Sequence, residues 1–182
     1  MGLLKEDYLP SYRYDDYIQW EGDWELIEGI AYAMSPSPIF KHQAISSLFV
    51  QSIGESLKNC KKCMILSEMD YKLADDTILR PDIALVCGQN GGPYIKKAPE
   101  LIVEIVSKSS FTKDEKIKFS LYQAEKVKYY VLVYPEDLKA KIYELKDGKY
   151  EKILDILEGS FDFKNLNCDT KIDFDFVFER FK

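Results

Sequence analysis

The sequence predicts an α/β domain in which helices flank a mixed sheet. Two patterns carry that expectation. The first is a set of short apolar runs, Ile83 to Cys87, Leu101 to Val106 and Tyr129 to Tyr134, with the length and content of buried strands. The second is helical spacing. Ile45, Phe49, Ile53 and Leu57 recur on one face, and Thr112 to Ala124 opens on Thr112 and Glu115, a Ser/Thr-x-x-Glu capping pattern. The chain has 182 residues, the size of one domain, and we expect residues 1–182 to fold as one unit. A domain of this size buries about 70% of its unfolded surface, enough for a core without disulfides or metals.

In chain order, Ser11 is a candidate cap for a short helix through Tyr12, Tyr17, Ile18 and Trp20. Trp24 to Ile27 and Ile30 to Met34 form a hairpin around Gly29. Ser35-Pro36-Ser37-Pro38 is a rigid loop that stops the second strand. A long amphipathic helix runs from about Ile39 to Asn59. Met64 to Leu73 is a strand, and Asp75-Asp76 is a turn. Thr77 to Leu79 and Ile83 to Cys87 are extended and interrupted by Pro81. Gly88 to Pro93 is a flexible loop. Lys139 to Leu145 and Tyr150 to Leu154 form a hairpin around Asp147-Gly148. A short helix from Phe174 to Phe181 ends the tail.

Charge and hydropathy exclude several classes. No window approaches about 18 uninterrupted apolar residues, so no transmembrane helix is expected. Lys5, Glu6 and Asp7 interrupt the N-terminus, so no secretory signal is expected either. Both point to a cytoplasmic protein without a membrane partner. Net charge is -6, which argues against a general polyanion binder. Residues 108–128 nevertheless hold 6 lysines against 3 acids, a basic segment in an acidic chain. It is either a solvated helix face or a phosphate contact.

Cys60, Cys63, Cys87 and Cys168 are the four cysteines. Cys60 and Cys63 have the spacing of half a zinc ribbon or a redox pair. A structural zinc site needs four ligands. No second such pair exists, and His42 is the sole histidine. Reduced thiols are therefore the expectation.

Two carboxylates stand out. Asp82 leads into Ile83-Ala84-Leu85-Val86, and Glu104 interrupts Leu101-Ile102-Val103-Ile105-Val106. An unpaired carboxylate among apolar neighbours costs several kcal/mol, so a cation partner or a solvent-facing side is required. Asp114, Lys118 and Tyr122 follow at i, i+4 and i+8, one stripe of a helix. If that stripe faces the sheet, Lys118 reaches the same cleft as Asp82 and Glu104. Two carboxylates and a lysine are the groups that metal-assisted phosphodiester hydrolysis uses.

These residues fall in a familiar order. Trp24-Glu25-Leu26-Ile27-Glu28-Gly29 is followed by Met34-Ser35-Pro36-Ser37-Pro38 and His42. Then come Arg80-Pro81-Asp82, Val103-Glu104-Ile105-Val106-Ser107, the stripe of Asp114, Lys118 and Tyr122, and Tyr129-Tyr130 with Pro135-Glu136. The set resembles the Uma family of putative restriction endonucleases, a bacterial branch of the PD-(D/E)xK nuclease superfamily. The resemblance runs over about residues 12–155; residues 156–182 are expected to pack on the domain as a C-terminal tail.

The resemblance implies a restriction-endonuclease-like central mixed sheet flanked by helices, with additional hairpins. It implies Asp82 and Glu104 as metal ligands for Mg²⁺ or Mn²⁺, and Glu25 as a third. The usual lysine position, two after Glu104, is Val106, so the lysine moves to the next helix and Lys118 fits. Lys108 and Lys116 are its rivals, though Lys116 lies about 200° around the helix. Asp114 would orient Lys118. DNA is the implied substrate, and a homodimer fits because cutting a duplex takes two sites. The alternatives are a nucleic-acid-binding module of the same fold without cleavage, and a dimeric interaction protein.

Overall fold

The computed structural model describes residues 10–34 and 40–182. The Ser35-Pro36-Ser37-Pro38 loop lies outside these residues. Twelve strands, β1 to β12, fall into three sheets among the described residues. The largest takes β3 (Cys63–Ser67), β6 (Ile83–Cys87), β7 (Leu101–Ile105), β8 (Tyr129–Tyr134), β9 (Lys139–Lys146) and β10 (Lys149–Ile156). Its order is β10-β9-β8-β7-β6-β3. Only β7 and β8 are parallel there, joined by the crossover helix between them. A second sheet orders β2 (Ile30–Ala33), β1 (Trp24–Ile27), β5 (Thr77–Leu79) and β4 (Tyr71–Ala74). β11 (Ser160–Phe163) and β12 (Thr170–Asp173) pair alone.

The central strands are apolar on both faces because both faces are covered. Val103, Ile105, Val131 and Val133 enter one core with α2 (Phe40–Ser56) and α4 (Phe174–Phe178). Ile102, Tyr130 and Leu132 enter the other, with Tyr122 and residues of the second sheet. Strand alternation turns Glu104 toward this second core, on the side of Ile102. On the first face Phe49 meets Phe174 and Phe178 edge-on. The tail is thereby built into the core, with Asp173 N donating to Ser52 Oγ at 2.8 Å. Asp173 also caps α4, accepting from Phe176 N at 3.0 Å.

Several local expectations change. Met64 to Leu73 is not one strand: the chain turns at Glu68, with φ 51°, and its halves join different sheets. Ser11 does not cap the first helix, α1 (Tyr14–Tyr17); Arg13 stands at that position. Ser11 instead packs against Gly29, where an added Cβ would meet its Oγ at 2.6 Å, and the Gly29 φ of 79° favours glycine. The Asp147-Gly148 turn has φ 49° and 80°, the positive pair of a type I′ hairpin.

The helix after β7 is also different. Residues Lys113–Lys118 form a π-helical segment, continued by α3 (Phe119–Ala124). Thr112 makes no side-chain cap, and Glu115 instead accepts from Tyr134 Oη and, at 3.0 Å, Lys141 Nζ. The cysteines depart too. Where reduced thiols were expected, Cys60 pairs with Cys168 and Cys63 with Cys87. The physical reason is register and packing: Cys63 stands directly opposite Cys87 across β3 and β6, and the tail brings Cys168 to Cys60.

Candidate active site

Three acidic side chains converge on one amine, and a fourth, Asp82, stands beside them against Glu104. Glu25 comes from β1, Asp82 from the lead into β6, Glu104 from the middle of β7 and Asp114 from the π-helical segment. Lys118 is 3% exposed and stands among them. Its Nζ lies 2.8 Å from Glu25 Oε1, 2.9 Å from Glu104 Oε1 and 3.7 Å from Asp114 Oδ1.

The π-helical segment explains much of this geometry. A π turn brings residues five apart onto one face. Lys113 and Lys118 therefore both reach Glu25, Lys113 on Oε2 and Lys118 on Oε1. Glu25 Oε1 also accepts from the Arg80 backbone N–H at 3.0 Å. Burial alone would raise the Glu25 pKa, but the two lysines hold the carboxyl below its ordinary range.

Glu104 has a different environment. Its Oε1 accepts from Lys118 and, at 2.9 Å, from the Tyr122 hydroxyl. Complete burial, with Asp114, Asp82 and Glu25 nearby, pushes its pKa well above the usual carboxylate range despite Lys118. The Asp114 carboxyl is raised for the same reasons, burial first. Its Oδ1 is buried and makes no hydrogen bond. Lys118 is the converse case: burial disfavours its charge, and the surrounding carboxylates outweigh that and raise its pKa well above 10.5. It is a fixed cation, unable to serve as a base near neutrality.

Asp82 sits at the edge of the cluster, its side chain 14% exposed. Its Oδ2 accepts from the Ile105 backbone N–H at 2.6 Å, and its own N–H approaches Glu104 Oε2 at 3.4 Å. These contacts tie the ends of neighbouring strands together and hold the two carboxylates side by side. His42, early in α2, places Nε2 3.4 Å from Asp82 Oδ2 and also faces the Ile105 backbone. Burial lowers the His42 pKa, but Asp82, Glu68 and the Ile105 backbone outweigh it and the net shift is upward.

All four sequence-predicted residues, Glu25, Asp82, Glu104 and Lys118, therefore meet in one region. They are not equivalent. The oxygens of Glu25, Asp82 and Glu104 do not all fall within 4.8 Å of one another, because Lys118 stands between Glu25 and Glu104. Lys108 and Lys116, the rivals, are exposed and make no contact with the cluster. The Arg80 side chain also turns away, to Asp23 at 2.5 Å and the Glu68 carbonyl at 2.7 Å. The residue that sequence patterning missed is Lys113. Its five-residue spacing from Lys118 is invisible to a 3.6-residue period.

Among the described residues no helix is long and apolar enough to cross a membrane. A family model named Uma2, with the description "Putative restriction endonuclease", matches residues 14–160. No curated protein matches the chain. Among solved structures, the fold is similar to that of a putative nuclease belonging to DUF820 from Anabaena variabilis ATCC 29413. That likeness has a TM-score of 0.73 at 18% identity and covers 92% of this chain and 97% of that one. At such identity it speaks for the fold alone.

Proposed function

We propose, for a chain that belongs to the Uma2 family of putative restriction endonucleases, that it is a divalent-metal-dependent endonuclease hydrolysing phosphodiester bonds of DNA. The observation that carries the proposal is the cluster of Glu25, Asp82, Glu104 and Asp114 around Lys118. Three carboxylates share two ammonium groups, Asp82 adds a fourth beside Glu104, and Asp114 Oδ1 is buried without a hydrogen bond. A surplus of oxygen donors beside too little positive charge fits a hard divalent cation.

Asp82 and Glu104 would hold Mg²⁺ or Mn²⁺, and Glu25 would join them from β1 once Lys118 shifts from between the carboxylates. What a bound ion supplies is Lewis acidity toward the phosphoryl oxygen and acidification of the attacking water. The remaining tasks fall to the chain. Ile105 N–H fixes the Asp82 carboxylate, and Tyr122 fixes that of Glu104. Lys118, permanently charged, orients the water and opposes the negative charge that develops at phosphorus. Asp114 positions Lys118 from one turn earlier. Residues 1–182 act as one nuclease-like unit in this proposal. The working form is a homodimer, since cleaving both strands of a duplex takes two such sites.

The test is cleavage of supercoiled plasmid with Mg²⁺ or Mn²⁺, compared with the Asp82→Ala/Glu104→Ala double variant. Metal-dependent nicking lost in the double variant is expected. Nicking that survives it overturns the assignment. Plasmid binding without nicking in the wild type overturns it in favour of the non-cleaving module.

A further inference from the structure

The acid cluster leaves one group of reactive side chains unused. The four cysteines span 108 positions of sequence, yet they gather at one corner of the large sheet. Cys60 and Cys63 flank the Lys61-Lys62 turn that enters β3. Cys87 ends β6 directly opposite Cys63. Cys168 arrives from the loop before β12, 7% exposed like Cys63.

The two cysteine pairs are not separate staples. Cys168 Sγ lies 3.3 Å from Cys63 Sγ, so each pair touches the other. The sulfurs of Cys60, Cys63 and Cys168 all lie within 4.8 Å of one another, and Cys63 and Cys87 share a second such group with Glu100. A tetrahedron with zinc–sulfur bonds of about 2.3 Å has edges of about 3.8 Å; the sulfurs of Cys60, Cys63 and Cys168 share such an envelope, while Cys87 adjoins it through Cys63 and is not within 4.8 Å of all three. Three prospective ligands of one ion are thereby gathered, and the fourth, Cys87, stands beside Cys63 and would turn in to them once its disulfide is reduced.

The geometry points to a single tetrahedral four-thiolate site, formed by Cys60, Cys63, Cys87 and Cys168, that binds a zinc-class divalent ion in the reduced protein. The donor set is uniform and soft, as such ions require. Two ligands come from a C-x-x-C turn, the spacing of a zinc knuckle. The other two come from a strand end and a distant loop, so the ion would clamp the C-terminal segment to the sheet. Four thiolates leave a charge of about -2 around a divalent ion. Lys61 and Lys62 in the turn supply compensating charge, while Lys128, 3.1 Å from Glu100, balances that carboxylate. Glu100 is not a fifth ligand. Asn167 N donates to its Oε2 at 2.7 Å, and Asn167 Nδ2 and Lys128 donate to Oε1. It therefore anchors the loop that presents Cys168. The disulfide pairing and the metal site exclude each other, because each sulfur takes one role or the other.

The experiment is a Co²⁺ titration of the full chain, reduced with a phosphine and freed of metal under nitrogen. We expect sulfur-to-cobalt charge transfer and intense visible d–d bands that saturate at one ion per chain and vanish when Zn²⁺ is added. Cys168→Ser should lower the charge-transfer intensity by about a quarter, one thiolate of four. Absence of thiolate–cobalt bands from reduced wild-type protein overturns the proposal. So does alkylation at lysis that finds both disulfides already formed. The wild-type titration decides the matter even where the variant does not fold, and it is independent of nuclease activity.

Discussion

The Lys118 ammonium lies 2.9 Å from the Glu104 carboxylate, both side chains 3% exposed. A buried pair of this kind stabilises little by itself, because desolvation offsets most of the Coulombic attraction. Its effect lies in placement: Lys118 is held where it also meets Glu25, and Glu104 where it also meets Tyr122 and the Asp82 N–H.

Glu104→Gln separates activity from stability. The amide keeps the shape and can still accept from Tyr122, while removing one of several crowded negative charges. Plasmid nicking should fall at least about 100-fold. The melting temperature should hold or rise, since the folded state itself disfavours an ionised Glu104. A large fall in melting temperature would contradict this electrostatic account.

Lys118→Met should be strongly destabilising. It leaves Glu104 and Asp114 buried without their ammonium partner, while Glu25 keeps Lys113. Breaking a buried pair in this way costs about 3–5 kcal/mol, measurable by urea unfolding. Lys116→Met, on an exposed side chain of the same segment, should change stability by less than about 0.5 kcal/mol.

Tyr122→Phe removes a single buried hydrogen bond to Glu104. A loss of about 1–2 kcal/mol is expected from denaturant midpoints. An unchanged midpoint would show that Lys118 alone satisfies that oxygen.

Glu100→Ala tests the anchoring of the tail. It strips acceptors from Asn167 and Lys128. We expect about 1–3 kcal/mol of destabilisation and faster amide exchange in β12 and α4 than in β7 and β8.

Alkaline pH should weaken the fold. Burial and the Glu144 hydrogen bond push the Tyr129 phenol up from 10.0 to about 12. A pKa raised in the folded state means that the unfolded chain loses its proton first. The stabilising contribution is complete below pH 10 and is lost as pH rises toward about 12. Tyr129→Phe should flatten the fall in stability over that window in denaturant titrations.

Much of the fold is legible in sequence because it depends on local periods. Continuous apolar runs mark β6, β7 and β8, and the 3.6-residue recurrence of Ile45, Phe49 and Ile53 marks α2. The Asp147-Gly148 pair marks its hairpin. Asp82 and Glu104 were conspicuous for a simple reason: a charge beside or within an oily strand demands a partner.

What sequence by itself determined was the kind of elements and which side chains were out of place in them. Tertiary structure alone decided the rest. It split Met64 to Leu73 between two sheets at Glu68, because pairing partners and not propensity set where a strand ends. It recruited Lys113 through a π turn, whose five-residue pairing follows from how the segment packs on Glu25. It joined Cys168 to Cys60 and Cys63, a contact that only the closed core can make. These contacts depend on distances between elements far apart in the chain, which no periodicity along the chain encodes.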